Sequence, residues 1–78
     1  MAKEIIIQIH LASYRDEKGL TQDELAEKSG VSRRRIIQIE QGEIDVTLLT
    51  VAKLAAALDI QFWDLVDVSI LPEGTVKQ

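Results

Sequence analysis

The chain has 78 residues, 46% of them apolar and 28% charged, and carries a net charge of −4. These totals fit one small folded domain with no room for a second core, rather than a disordered chain. Cysteine is absent, which rules out disulfides and thiolate metal sites and leaves helix packing or self-association as the source of stability.

Absence of cysteine fits a reducing compartment. No apolar run approaches the roughly 18 residues of a membrane span. The opening "MAKEIIIQIH" is too short and too polar-broken for a signal peptide, so a complete, cytoplasmic chain is expected. His10 is the single histidine, and no serine or carboxylate sits near it in a triad or metal-ligand spacing. It is expected to be a solvated or packing residue. No glycine-rich phosphate loop is present. The expectation is therefore a protein without catalysis, metal or cofactor.

In chain order, Ile7, Leu11 and Tyr14 recur at i, i+4 and i+7, which predicts a helix from about Glu4 to Lys18. The β-branched "IIIQI" supports a strand at the start as the alternative. In "TQDELAEKSG", Thr21 followed three residues later by Glu24 is a capping-box pattern. Asp23 and Glu24 complement the helix dipole in the first turn, and Gly30 supplies the left-handed residue that stops this helix.

Ser32 caps the next segment, in which Ile36 and Ile39 lie on one face and Arg33, Arg34, Ile37 and Gln38 on the other, with Gly42 at its end. After "EIDV", Thr47 caps a fourth helix whose Leu48, Val51, Leu54, Ala55 and Leu58 form an inward stripe. Asp59 follows where a left-handed residue is wanted. "QFWDLVD" reads as a last short helix anchored by Ile60, Phe62, Leu65 and Val66. The tail "VSILPEGTVKQ" reads as an added strand or a loose end. The expected fold is an all-α, five-helix orthogonal bundle in a single domain over residues 1–78, with a core of about 7–66 and a C-terminal extension over 67–78.

Two short helices joined at "KSGVS" form a helix-turn-helix pattern, whose second helix enters the DNA major groove. The stretch "GLTQDELAEKSGVSRRRIIQIEQG…TLLTVAKLAAALDI" resembles the Xre-type helix-turn-helix family, also called the Cro or phage-repressor type, over about Ile7 to Val66. The resemblance implies a lambda-repressor-like fold and double-stranded DNA as partner. It also implies base reading by residues aligned with Ser32, Arg33, Arg34 and Gln38, a phosphate contact at Gln22, and an ion pair between Arg15 and Glu40.

Side-chain chemistry agrees with that assignment. Arginine presents a donor fork that matches guanine O6 and N7, and glutamine suits adenine N6 and N7. Ile37 is placed to touch a thymine methyl. Arg35 lies about 100° around the helix from Arg34 and is assigned to a phosphate, as is Gln41. Charge is segregated: residues 31–42 hold three positive and one negative side chain, net +2, while residues 43–78 hold two positive and six negative, net −4. An acidic chain with a concentrated basic patch limits non-specific attraction to DNA.

Departures from the family pattern include acidic Glu43 and Asp45 in the loop after Gly42, and Ser29 in place of an apolar residue. Leu49, Trp63, Ile5, Ile6, Ile44 and the Val68–Leu71 run exceed what a monomer needs to bury. Such a surplus points to a homodimer, which would read an inverted repeat as a repressor. The alternative is an antitoxin that binds a toxin protein and controls its own operon.

Overall fold

The computed structural model describes residues 3–72. The elements in chain order are strand β1 (Lys3–Ile9), helices α1 (Leu11–Glu17), α2 (Gln22–Ser29), α3 (Arg33–Glu40), α4 (Leu48–Ala57) and α5 (Phe62–Leu65), and strand β2 (Val66–Pro72). The expected all-α bundle is thus corrected to an α+β helix-turn-helix fold in which two antiparallel strands accompany the helices.

The first helix begins only at Leu11, because the residues before it pair with a strand from the far end of the chain. β1 pairs with β2 in the register Ile5↔Ile70, Ile7↔Val68 and Ile9↔Val66, which gathers six β-branched side chains on one face. The opposite face carries Glu4, Ile6 and Gln8 across from Leu71, Ser69 and Asp67. Branched side chains fit a pleated surface better than a helix. The i, i+4, i+7 stripe of the sequence therefore mixes one sheet residue, Ile7, with two helix residues. Val66, expected in the last helix, instead opens β2. His10 Nε2 donates to Asp67 Oδ2 at 2.7 Å, and its backbone N–H donates to the Leu65 carbonyl at 2.8 Å, which fastens the ribbon at its base.

Each of the three middle helices starts on a hydroxyl cap. Thr21, Ser32 and Thr47 accept from the backbone N–H groups of Glu24, Arg35 and Thr50. At α2 the box is reciprocal: Glu24 Oε1 accepts from the Thr21 N–H at 2.8 Å. Gly30 ends α2 at φ +76°, and Asp59 turns the chain after α4 at φ +59°. Both positions demand a left-handed backbone, which glycine adopts freely and aspartate tolerates.

Leu11, Leu25, Ile36, Ile39, Leu54, Leu58 and Leu65 are fully buried, one or two from each helix. Tyr14, Leu20, Ala26, Val46, Ile60 and Phe62 pack around them. Leu48, expected in the inward stripe of α4, is exposed instead, as is Leu49 beside it. No helix among the described residues is long and apolar enough to cross a membrane.

Truncating Leu54→Ala should cost about 2–5 kcal/mol. That is a large share of the roughly 5 kcal/mol total typical of a marginal small domain. Urea unfolding followed by far-ultraviolet dichroism would show the midpoint collapse.

Candidate nucleic-acid interface

α2 and α3 are joined by a turn of Gly30, Val31 and Ser32, with Val31 buried and Ile36 and Ile39 anchoring the inner face of α3. The Ser29 hydroxyl accepts from the Val31 N–H at 3.1 Å, so the departure at Ser29 acts as a local clamp for the turn. With the isoleucines inward, Ser32, Arg33 and Arg34 stand exposed at the start of α3. Ile37 and Gln38 are half-buried one turn on, and Gln41 is exposed at the C-terminus.

α3 is held in place by a polar cluster. Arg15 Nε and Nη2 donate to the two carboxylate oxygens of Glu40 at 2.6 and 3.2 Å, a bidentate pair. Arg15 Nη1 donates to the Leu20 carbonyl at 2.9 Å, and Gln22 Nε2 donates to Glu40 Oε1 at 2.9 Å. The side chains of Arg15 and Glu40 retain only 15% and 10% exposure. The cluster thus joins α1, the loop before α2, α2 itself and α3. Burial pushes the Glu40 carboxyl up, but hydrogen bonds from Arg15 and Gln22 and the Arg15 charge outweigh it and bring the group below its ordinary value of 4.5. The hydrogen bond to Glu40 raises Arg15, against the opposing effect of burial.

The three arginines do not share one environment. Arg33 Nε lies 3.3 Å from Asp23 Oδ1 on α2, with both side chains mostly exposed. Such a pair is worth about 0–1 kcal/mol and yields readily to a competing anion. Arg34 is exposed and makes no hydrogen bond or ion pair among the described residues. Arg35 is half-buried and turned back on the protein: Nη1 donates to Gln38 Oε1 at 3.2 Å and Nη2 to the Asp45 carbonyl at 3.1 Å. Three residues of helix bring a side chain within about 60° of its starting direction, so Arg35 and Gln38 share an edge. Arg35 is expected at a phosphate from the sequence; here its guanidinium is spent on Gln38 and the Asp45 carbonyl. Gln22 also spends one amide hydrogen inside the protein, on Glu40.

Sequence reasoning missed the partners of these groups. Asp23 reads only as a first-turn acid, yet it meets Arg33. The acidic loop folds onto α3 through backbone atoms: Glu43 N–H donates to the Gln38 carbonyl at 3.0 Å, and Asp45 N–H donates to Glu43 Oε1 at 2.9 Å. The i, i+3 spacing of Arg35 and Gln38 was the one available signal. Among the described residues, no group of His, Asp or Glu side chains is arranged to hold a metal ion.

Two short helices at a tight turn, the second presenting exposed Ser32, Arg33 and Arg34 at its start, make this a helix-turn-helix unit of the DNA-binding kind. A helix-turn-helix family profile matches residues 11–62, a span that begins after β1 and ends before β2. An HTH-type transcriptional regulator of Methanothermobacter thermautotrophicus is 39% identical over 67 residues, covering 86% of this chain and 94% of that protein. The control protein C.SmaI of Serratia marcescens is 44% identical over 57 residues, covering 73% and 67%. Among solved structures, the restriction-modification controller protein C.AhdI of Aeromonas hydrophila superposes with a TM-score of 0.65 at 42% identity, over 68% of this chain and 80% of that one. The N-terminal DNA-binding domain of the biofilm regulator SinR of Bacillus subtilis gives 0.62 at 34% identity, over 67% and 77%. The chain belongs to the Xre-type helix-turn-helix family of DNA-binding transcription regulators.

Replacing Glu40→Ala strands the Arg15 guanidinium and should cost about 3–5 kcal/mol, toward the lower figure because the pair is not wholly dry. Because Glu40 titrates below its ordinary value in the folded state, its contribution is present above about pH 4.5 and fades as the pH falls through the lowered folded value. The stability difference between wild type and Glu40→Gln should therefore shrink on acidification below pH 4.5. Parallel urea titrations of the two proteins would measure it.

Proposed function

We propose that the protein is a transcriptional repressor that binds an inverted repeat as a homodimer, each copy reading base edges with Ser32, Arg33, Arg34, Ile37 and Gln38 of α3 and its cap. The observation that carries this reading is Arg34, an exposed guanidinium on α3 with no hydrogen-bond or ion-pair partner among the described residues. Gln38 lies one helical turn beyond it. Gln41, exposed at the end of α3, and the remaining amide hydrogen of Gln22 serve the phosphates in this scheme.

An eight-residue helix reads only a few base pairs, so a specific site calls for a second copy. Two recognition helices about 34–36 Å apart match one turn of duplex. Support for self-association comes from the apolar face of the ribbon, where Ile5, Ile70 and Val68 continue into a groove of about 170 Å³ lined in part by Ile44, Leu48 and Trp63. Leu48 is 75% exposed, Trp63 69%, Ile5 62% and Ile70 61%. With Ile44 and Val68, each 44% exposed, these residues form an apolar patch on the order of a few hundred Å², the kind of surface that marks an interaction site. A second copy of the chain is the occupant that meets both needs.

Arg34→Ala should weaken binding to the selected site by about 1–3 kcal/mol and leave binding to random duplex nearly unchanged. Fluorescence anisotropy on both DNAs would check this, and equal losses on the two would refute base reading by Arg34. Light scattering at high micromolar concentration should give a dimer, and Trp63→Asp a monomer. A monomeric wild type would overturn self-association and favour the antitoxin alternative, in which a foreign protein covers the same face.

A further inference from the structure

The three-residue link from Arg35 to Gln38 and on to the loop has a consequence for which base is read. Arginine has donors only, so the Gln38 atom that faces Arg35 Nη1 at 3.2 Å is its oxygen. The amide nitrogen of Gln38 then occupies the other end of the carboxamide. Arg35 is itself fixed from the far side, because Nη2 donates to the Asp45 carbonyl. That loop is tied in turn to α3 through the Glu43 N–H and the Gln38 carbonyl.

A glutamine reads adenine by donating to N7 while its oxygen accepts from the N6 amino group. Here the oxygen is engaged by a guanidinium, whose positive charge repels the positive amino hydrogens of adenine N6 or cytosine N4. The nitrogen side meets no such penalty and suits acceptors, namely guanine O6 and N7 or thymine O4. We infer that Arg35 is a positioning residue that orients Gln38 as a donor, so that the base opposite Gln38 is a keto base, guanine or thymine. Adenine, which a free glutamine at this position would suit, is disfavoured. The inference rests on the DNA-reading role proposed for α3, and it changes the base expected at Gln38 from the sequence alone.

In-vitro selection from a randomised duplex pool tests it, run with wild type, Gln38→Ala, Arg35→Ala and Arg35→Lys. Gln38→Ala locates the position whose base preference disappears. Wild type should select guanine or thymine there. Arg35→Ala should admit adenine, with the keto preference falling by about fivefold or more and the other positions unchanged. Arg35→Lys, which keeps the charge but offers its donors from a single nitrogen and cannot bridge Gln38 and the loop as a fork does, should restore part of the preference. The dependence of log affinity on log salt should keep its slope in Arg35→Ala, whereas loss of a phosphate contact would flatten it by about 0.9.

An amino base at the Gln38 position in the wild type overturns the inference, even if Arg35→Ala fails to fold. So does an unchanged preference in folded Arg35→Ala, or a flattened salt slope. If wild type enriches no sequence at all, the DNA-reading proposal itself fails, which is a different result from an enriched site that ignores Arg35.

Discussion

Everything on the outward face of α3 depends on the bidentate bond between Arg15 and Glu40. A recognition helix of eight residues is too short to be stable alone. Its direction must be set by what it packs against. Ile36 and Ile39 bury one face, but apolar contacts alone tolerate some rotation about the helix axis. The guanidinium fork, with the Leu20 carbonyl and Asp16 on Arg15 and Gln22 on the Glu40 carboxylate, allows little. The cluster sits at the last residue of α3, so it fixes the end opposite the exposed arginines and leaves them free to meet a ligand. A charged pair at this depth contributes little net stability relative to a well-packed apolar pair, but it is costly to break. Its value here is orientation.

The three consecutive arginines divide the work. Each is rotated about 100° from the one before, so one sequence run supplies three distinct environments. Arg33 leans toward α2 and meets Asp23 in a weak, wet pair. Arg34 projects from the surface. Arg35 turns back onto the loop and Gln38. A count of positive charge therefore overstates the cations that face outward. The acidic loop that follows α3 is tied to the helix by the Glu43 N–H on the Gln38 carbonyl and by Arg35 on the Asp45 carbonyl, with the Glu43 carboxylate accepting from the Asp45 N–H.

Both strands of the ribbon lie outside the span shared with the family profile. Two strands joined to nothing else are marginal in water, and this pair packs Ile7, Ile9 and Val66 against the core, with His10 bonded to Asp67 at its base. Its outer half keeps large aliphatic side chains in solvent, continuous with Trp63 and Leu48. Surface of that kind and size is characteristic of an interface.

The helix-turn-helix core was legible in the sequence because local signals agree there. Hydroxyl caps at Thr21, Ser32 and Thr47, left-handed residues at Gly30 and Asp59, and isoleucines at three-residue spacing all act within a few residues of one another. The resemblance supplied Arg15 with Glu40, a pair 25 residues apart that no local pattern reveals. Tertiary structure alone decided the ends of the chain and the fate of Arg35. Whether "IIIQI" becomes helix or strand depends on an apolar, β-branched partner that lies some sixty residues away and exists only once the bundle has brought it back. Arg35 was likewise free on paper, because the Asp45 carbonyl that captures it is placed by the fold of a loop with no periodicity to read.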